Sequence, residues 1–254
     1  MRSPHVEFGM YPFASAAWAW QQWWSAVSAR ISWVPTALTW SGDVHARWSD
    51  GDCLVTQICG GPLVATHRDD LRVLGAFSLD LPTATRDARY RSVLLSPHDR
   101  PVEALAVPTA HAVANSADSL SGWISLRAAT VGAGAEWPGT VTFTGSHLAS
   151  VRTLAGREGD VASIDAWSLA FIADEEPELL HDLHVVGHGP AVPTPAIAAR
   201  SSIGNDMAAE LRDAVVEATV DPATSGPRAA LRITGFVPLD VDDYLPIAAL
   251  DPGV

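Results

Sequence analysis

The feature that most constrains the fold is a regular alternation of short apolar strands and helical patterns in the middle of the chain. Strands are predicted at residues 110–114, 141–144 and 160–164, and a helical pattern follows each of them. Alternation at this spacing is typical of βα units that build a parallel sheet. The sequence therefore predicts an α/β fold with several strand-to-helix turns at one sheet edge.

Proline-rich segments separate two α/β blocks. The first block begins with a strand pattern at 6–10 and a tryptophan-rich helix at 13–29, and further strands are predicted at 33–40, 53–59, 71–77 and 90–95. The second block follows the prolines of 97–101 and ends with a strand at 183–187. After the prolines of 189–195 we expect one amphipathic helix, 206–218, and a short segment at 235–239. These blocks predict lobe 1 over residues 1–100 and 188–254, with lobe 2, residues 101–187, inserted into it.

The charge balance excludes one class of ligand. The 254 residues carry 16 basic and 29 acidic side chains, a formal net charge of −13, and no basic cluster. Nucleic-acid binding by counterion release is therefore not expected. An anionic ligand would have to be bound by local donors, and backbone N–H groups and hydroxyls are the natural ones.

Cysteine use and hydropathy bear on the compartment. Cys53 and Cys59 lie at the two ends of one extended run, about 20 Å apart, which is beyond disulfide reach. Unpaired thiols are compatible with a reducing compartment. The N-terminal residues lack a signal-peptide pattern and no apolar run is long enough to span a membrane. We expect a cytoplasmic protein as written, or a periplasmic one if a leader was removed, with no membrane insertion.

Cofactor and metal motifs are not found in the sequence. The histidine spacing matches no zinc-binding pattern, and glycine-rich nucleotide motifs and a nucleophile elbow are absent. We therefore predict no metal, no cofactor and no nucleophilic triad.

The stretch N-S-A-D-S-L-S-G-W, residues 115–123, joins a strand to a helix. Asp118 or Ser119 can cap the helix, and Ser119, Ser121 and Gly122 surround its first turn. The N–H groups of a first turn have no acceptor within the helix, and small residues let a ligand approach. This pattern fits a tetrahedral oxyanion site without a basic residue. Taken alone, it fits an ordinary helix cap equally well.

A second strand-to-helix turn, residues 144–150, repeats these donors and adds an imidazole. Ser146 and His147 lie at its helix start. Ligands of open α/β sheets gather at the carboxyl ends of strands, so both turns are candidates for one site. Asp160 and Asp165 flank the next strand, and either carboxylate could meet a protonated ligand oxygen or a ligand ammonium group. A capping role explains each of these residues as well.

An ordered series of short motifs resembles the phosphate, phosphite and phosphonate-binding proteins of ABC importers. The series comprises M-Y-P at 10–12, Q-I-C-G-G-P-L at 57–63, Y-R-S-V at 90–93, N-S-A-D-S-L-S-G at 115–122, T-G-S-H-L-A-S at 144–150 and G-D-V-A-S-I-D at 159–165. The resemblance implies the type II periplasmic-binding-protein fold, with two lobes that each hold a mixed, mostly parallel sheet flanked by helices and with a ligand cleft between them.

The resemblance also implies a set of ligand-binding residues. The family holds its oxyanion by a Ser-x-Ser segment at a helix start, a histidine of the next turn, a tyrosine of the other lobe and an acidic residue. The matching residues here are Ser119, Leu120 (through its backbone), Ser121, His147, Tyr90, either Asp160 or Asp165, Tyr11 and Ser146. The acidic residue stays open, because the family pattern favours Asp160 and the strand direction favours Asp165. Leu120 departs from the family, whose phosphonate binders tend to have threonine there.

Three functions follow as hypotheses. The leading one is a solute-binding protein without catalytic activity, which recognises phosphate, phosphite or a phosphonate and passes it to an ABC permease. The second is a cytoplasmic enzyme of the same fold, similar to some enzymes of menaquinone biosynthesis. The third is a cytoplasmic ligand sensor or partner-binding module. Fold alone does not choose among them.

Overall fold

The computed structural model describes residues 3–40 and 42–251. Its contacts divide the chain into two compact units. Unit 1 comprises Met1–Asp80, Ala84–Arg89 and Pro193–Leu245, and unit 2 comprises Leu81–Thr83, Tyr90–Val192 and Pro246–Val254. Each unit is built around one five-stranded sheet.

The first part of the chain forms the amino-terminal half of unit 1. Its elements in order are β1 (His5–Glu7), α1 (Ala14–Ser28), α2 (Val44–Trp48), β2 (Cys53–Ile58), α3 (Gly60–Pro62) and β3 (Leu71–Leu79). A π-helical turn, Leu63–His67, connects α3 to β3. Residues 33–40 do not form the predicted strand, since proline interrupts the segment and only Thr39 makes an isolated bridge, to Glu7.

The middle of the chain forms most of unit 2. Its elements are β4 (Arg89–Tyr90), β5 (Val93–Ser96), β6 (His111–Ala114), α4 (Ser125–Thr130), β7 (Thr140–Phe143), α5 (His147–Ala155), β8 (Val161–Ile164), α6 (Ala166–Glu175) and β9 (His184–His188). A π-helical turn, Leu120–Ile124, runs directly into α4, and 3₁₀ turns occupy Val102–Leu105 and Pro177–Leu180.

The chain then returns to unit 1. The elements are β10 (Val192–Pro193), β11 (Ala196–Arg200), α7 (Asn205–Val220), α8 (Ser225–Ala230) and β12 (Ile233–Val237), with 3₁₀ turns at Pro222–Thr224 and Val241–Asp243. A last 3₁₀ turn, Leu245–Leu250, leads from unit 1 into unit 2. β10 pairs with β4 in a separate two-stranded sheet.

The sheet of unit 1 has the strand order β1-β2-β11-β3-β12. β1 pairs parallel with β2, and the other neighbouring strands pair antiparallel. Tryptophans of α1 supply much of the core: Trp20 and Trp23 are fully buried and pack on Phe77 of β3, with ring centroids 6.0 and 5.2 Å apart. Aromatic side chains of this size dominate the burial of apolar surface in a core.

The sheet of unit 2 has the order β7-β6-β8-β5-β9. β7, β6 and β8 pair parallel, whereas β5 is antiparallel to both β8 and β9. The carboxyl ends of β6, β7 and β8 therefore lie at the same sheet edge. Both sheets are mixed, as predicted, although antiparallel pairing is more extensive than the prediction had it.

The division into units differs from the predicted boundaries at residues 101 and 187. β5, which the prediction placed in lobe 1, lies inside the sheet of unit 2 between β8 and β9. Apart from the short segment Leu81–Thr83, unit 2 begins at Tyr90, before the proline-rich turn of 97–101. Residues from Pro246 onward also belong to unit 2. The prolines of 97–101 mark a turn within a unit, so they were a poor guide to its boundary.

Candidate ligand-binding site

The turn that follows β6, residues 119–123, is called the oxyanion turn below. Ser119 caps it with an extended backbone, and its Oγ accepts the N–H of Gly122 at 3.1 Å. The turn is wide, because the N–H of Ile124 donates to the carbonyl of Ser119 at 3.0 Å, five residues back. The N–H groups of Leu120 and Ser121 come before the first intrahelical donor and point out of the helix start.

Close packing behind the oxyanion turn explains its small residues. A Cβ at Gly122 would meet Oδ1 of Asn115 and Oγ of Ser119, so glycine is required for this approach. Ser119 and Ser121 are both 4% exposed, and Leu120 buries its side chain. Leu120 can therefore meet a ligand only through its backbone and not through its side chain.

The turn after β7 lies alongside the oxyanion turn. The N–H groups of Thr144 and Gly145 donate to the carbonyls of Ala114 and Asn115, each at 2.9 Å, which extends the β6–β7 pairing beyond the strands. Gly145 has φ +88°, a conformation that favours glycine. Ser146, which is exposed, caps α5 by accepting the N–H of Ala149 at 3.1 Å.

His147, the first residue of α5, connects two parts of the cluster. Its Nε2 lies 3.1 Å from Oγ of Ser121, and its Nδ1 accepts the backbone N–H of Asp165 at 3.4 Å. Because Nδ1 is an acceptor, a neutral ring carries its hydrogen on Nε2, which then donates to Ser121. Burial lowers the pKa of His147, against the opposing effect of the Asp165 charge. The imidazole is therefore neutral at pH 7.

Asp165 follows β8 directly and caps α6. One carboxylate oxygen accepts the N–H of Ser168 at 2.7 Å, and the other accepts the hydroxyl of Tyr90 at 2.6 Å. Tyr90 and Asp165 are each 3% exposed. The single hydrogen of the Tyr90 hydroxyl is donated to Asp165, so toward a ligand the Tyr90 oxygen acts as an acceptor.

Two buried serines support the oxyanion turn from the sheet. The hydroxyl of Ser163, in the middle of β8, donates to the carbonyl of Ser121 at 2.6 Å and lies 2.9 Å from Oγ of Ser92. Sequence reasoning did not select either residue as part of the site. The available signal was a serine within the otherwise apolar run of β8, but the partner of Ser163 is 42 residues away in sequence.

The two aspartates that the sequence could not separate lie at opposite ends of β8. Asp160 precedes the strand, where its carboxylate contacts Nε2 of His98 at 2.9 Å and accepts the N–H of His111 at 2.7 Å. These contacts lower the pKa of Asp160 in spite of partial burial. The structure brings Asp165, and not Asp160, to Tyr90 and His147.

Of the other predicted residues, Tyr11 belongs to unit 1, and its part in the site stays a prediction. Tyr11 is buried, in the loop after β1. The structure thus gathers Ser119, Leu120, Ser121, His147, Tyr90 and Asp165 within unit 2, with Ser146 at the rim of the α5 turn.

The chemistry of the gathered groups is that of a neutral donor array beside one carboxylate. Hydroxyls, backbone N–H groups and an imidazole N–H can donate to a ligand oxygen, and Asp165 supplies the formal negative charge. Within residues 3–40 and 42–251, no group of three His, Cys, Asp or Glu side chains is arranged to hold a metal ion. The same part of the chain contains no helix that is both long and apolar enough to cross a bilayer.

Two mixed sheets flanked by helices match the fold of type II periplasmic-binding proteins. A family model described as "ABC transporter, phosphonate, periplasmic substrate-binding protein" matches residues 55–244. The chain belongs to this family, whose members are substrate-binding components of transporters and not enzymes. A search of curated proteins found no match.

Solved structures share the fold at low sequence identity. PhnD1 from Prochlorococcus marinus, solved in complex with methylphosphonate, has a TM-score of 0.75 and 14% identity, with 98% of this chain and 97% of that chain covered. A binding protein component of an ABC phosphonate transporter from Pseudomonas aeruginosa has a TM-score of 0.73 and 15% identity, with 98% of this chain and 86% of that chain covered. A protein from Xanthomonas citri solved bound to ATP has a TM-score of 0.70 and 16% identity, with 99% of this chain and 97% of that chain covered.

Proposed function

We propose that the oxyanion turn, His147, Tyr90 and Asp165 form the site where this protein binds a phosphonate or another small phosphorus oxyanion. The observation that carries the proposal is a continuous set of hydrogen bonds from Tyr90 through Asp165 and His147 to Ser121. It connects three strand-to-helix turns at one sheet edge, which is where ligands of α/β sheets bind.

The donors fit a tetrahedral anion. The Ser121 hydroxyl accepts from His147, so its own hydrogen is available to a ligand oxygen. The Ser119 hydroxyl likewise accepts from Gly122 and can donate outward. Together with the backbone N–H groups of Leu120 and Ser121, these donors bind oxygen atoms without a cationic side chain.

Tyr90 sets a further requirement, since its oxygen and the Asp165 carboxylate accept hydrogen bonds. A ligand atom placed against them must carry a hydrogen. A protonated phosphonate oxygen meets this requirement, and so does an ammonium substituent on the phosphonate. A fully deprotonated dianion would instead face the Asp165 charge without a hydrogen to share.

Calorimetric titration of ligand-free protein at neutral pH tests the proposal. We expect methylphosphonate, phosphite or phosphate to bind with one site per chain, whereas sulfate should bind at least tenfold more weakly because it carries no proton at this pH. A larger affinity for 2-aminoethylphosphonate than for methylphosphonate would assign the acceptor pair to an ammonium group. Absence of heat with every phosphorus oxyanion would contradict the proposal.

The transport role follows from the family, and its specific partner and location are part of the proposal. We propose that the loaded protein docks on the permease of an ABC importer and works outside the cytoplasmic membrane. Measuring ligand-stimulated ATP hydrolysis by a reconstituted importer, with and without this protein, tests the partner. Cell fractionation of the natural host with an antibody to the protein tests the location, and retention with the cytoplasmic fraction would contradict it.

A further inference from the structure

A cavity in unit 1 gathers arginines that the proposed function does not use. Its volume is about 370 Å³, within the usual range of small-molecule sites. Its lining residues include Arg68, Arg72, Arg212, Ser201 and Asp240. All of them belong to unit 1, whereas the oxyanion turn belongs to unit 2.

The cavity opens where two strands of the unit 1 sheet separate. The described pairing of β12 with β3 ends at Val237 and Ala76, so the beginning of β3 has no β12 neighbour. Arg72 and Val73 lie on this uncovered part of β3, and the 3₁₀ turn that starts at Val241 borders it. Arg212 reaches in from α7 and donates from Nη2 to the carbonyl of Val73 at 3.3 Å.

The charges in this cavity are poorly balanced. The sequence contains no lysine, so all 16 basic residues are arginines. Several of those elsewhere in the chain contact carboxylates, namely Arg30, Arg47, Arg89, Arg127 and Arg152. In the described residues, by contrast, Arg68, Arg72 and Arg212 make no ion pair with a carboxylate. Concentrating three guanidinium groups in one cavity of a protein with net charge −13 therefore calls for a counter-charge.

Groups already on the chain supply little of that counter-charge. Asp240 is the acidic residue among the described lining residues, and one of its oxygens caps the following turn by accepting the N–H of Asp242 at 2.9 Å. The Nε of Arg212 is buried with no hydrogen-bond partner in the described residues. A buried guanidinium N–H without an acceptor is costly, so an acceptor from a ligand would relieve it.

We propose that this cavity is a second anion site, which takes a compact polyanion such as a diphosphate between Arg68, Arg72 and Arg212. Guanidinium forks match the oxygens of phosphate and carboxylate groups in pairs, and the Ser201 hydroxyl offers a further donor. A single phosphonate uses one fork, whereas a ligand with two charged groups can engage guanidinium groups on β3 and α7 together. The cavity thus favours ligands larger and more highly charged than those of the oxyanion turn.

Pyrophosphate is the probe that tests this site, with citrate as a carboxylate of similar charge. The Ser119→Ala/Ser121→Ala variant removes donors of the oxyanion turn and should still bind pyrophosphate in calorimetry. The Arg68→Gln/Arg72→Gln variant should lose about tenfold or more in pyrophosphate affinity, since charged hydrogen bonds are removed. Arg86→Gln is the matched control, because Arg86 is an exposed arginine of unit 1 that does not line the cavity.

The outcomes separate this proposal from the proposed function. Arg68 is exposed, so Arg68→Gln alone keeps the test valid if the double variant does not fold; it should weaken pyrophosphate binding by a smaller factor and leave methylphosphonate binding unchanged. Binding of citrate but not pyrophosphate would overturn the assignment to phosphorus anions. Unchanged pyrophosphate affinity in the arginine variants, or complete loss in the serine variant, would overturn the second site. Failure of methylphosphonate to bind would affect only the proposed function.

Discussion

At the scale of single residues, the candidate site depends on which atom holds each hydrogen. Tyr90 gives its hydrogen to Asp165, and His147 gives the hydrogen of Nε2 to Ser121. In the proposed site, the hydrogen of the Ser121 hydroxyl is then available to a ligand oxygen. This assignment follows from one backbone contact, the N–H of Asp165 on Nδ1 of His147.

Replacing Ser121 with alanine tests that assignment. We expect Ser121→Ala to weaken methylphosphonate binding by roughly tenfold or more, because it removes a donor and leaves the His147 N–H without its acceptor. Calorimetry at fixed pH and salt gives the affinity. Ser78→Ala in unit 1, which removes a hydroxyl bonded to the carbonyl of Arg86, is the control and should leave the affinity unchanged. Equal affinities for Ser121→Ala and the native protein would exclude Ser121 from the site.

The lowered pKa of His147 predicts a dependence of stability on pH. Because burial holds the folded-state pKa below the ordinary value of about 6.5, the unfolded chain binds more protons in this range. The contribution of His147 to the free energy of unfolding should therefore be fully present above about pH 6.5 and should fall as the pH drops below it. Burial lowers the pKa of His67 as well, so this residue contributes in the same direction.

Urea unfolding at pH 7.5 and at pH 5.5 measures this dependence. His147→Gln should reduce the loss of stability between pH 7.5 and pH 5.5. His67→Gln should reduce this loss independently, by the part that His67 contributes. A His147→Gln variant that loses as much stability on acidification as the native protein would show that the imidazole is not held neutral by the fold.

At the scale of secondary-structure elements, the oxyanion turn owes its shape to a π-helical opening that leads into α4. Sequence patterns predicted a helix from Ser119 to about residue 131 but not the wide first turn, because a π turn is stabilised by packing and not by residue preference. Here that packing is the contact of Gly122 with Asn115 at the end of β6.

Gly122→Ala tests the importance of the turn. The added Cβ would collide with buried side-chain oxygens of Asn115 and Ser119, so we expect a lower melting temperature and loss of methylphosphonate binding. The matched control is Gly226→Ala in α8, where nothing lies within 4 Å of the added Cβ and alanine favours the helix. The prediction fails if Gly122→Ala binds methylphosphonate as tightly as Gly226→Ala does.

The sequence predicted most elements of unit 2 but missed a central strand of unit 1. β11 has the sequence A-I-A-A-R, flanked by the prolines of 189–195, and alanine has little preference for strands. All five of its residues are buried between β2 and β3, where small side chains permit close packing on both faces. That position is a tertiary property, and no local pattern reports it.

The candidate site shows the same division between local and tertiary information. The donors of each strand-to-helix turn were recognisable from adjacent residues, as Ser119, Ser121 and His147 were. The choice between Asp160 and Asp165 depended on which end of β8 approaches Tyr90, 75 residues earlier in the chain than Asp165. Contacts over such distances come from the pairing of strands.

At the scale of the whole molecule, the two units are interwoven along the chain. Unit 2 takes up residues from Pro246 onward after the chain has completed the sheet of unit 1. Arg127 of α4 forms an ion pair with Asp251, and the N–H of Gly134 donates to the carbonyl of Leu250 at 3.1 Å. The last turn is thereby fixed to the helix that follows the oxyanion turn.

Asp251→Ala should destabilise unit 2. Arg127 and Asp251 side chains are each 12% exposed, so the change leaves a largely buried guanidinium without its partner and costs about 3 kcal/mol. Thermal unfolding followed by calorimetry gives the change. Asp87→Ala, which removes an exposed carboxylate near Arg89, is the control and should have little effect. Equal stability of the two variants would exclude a structural role for the carboxy-terminal turn.

The interwoven chain also has a practical consequence for following ligand binding. Pro4 and Ala249 are both exposed, and they belong to unit 1 and unit 2, respectively. A donor and an acceptor dye attached at these two positions would therefore label different units without disturbing any helix or strand core. Energy transfer between the dyes then becomes an optical readout of any ligand-dependent change in the distance between the units. If the proposed site binds phosphonates, the labelled protein is the starting point of a biosensor for them.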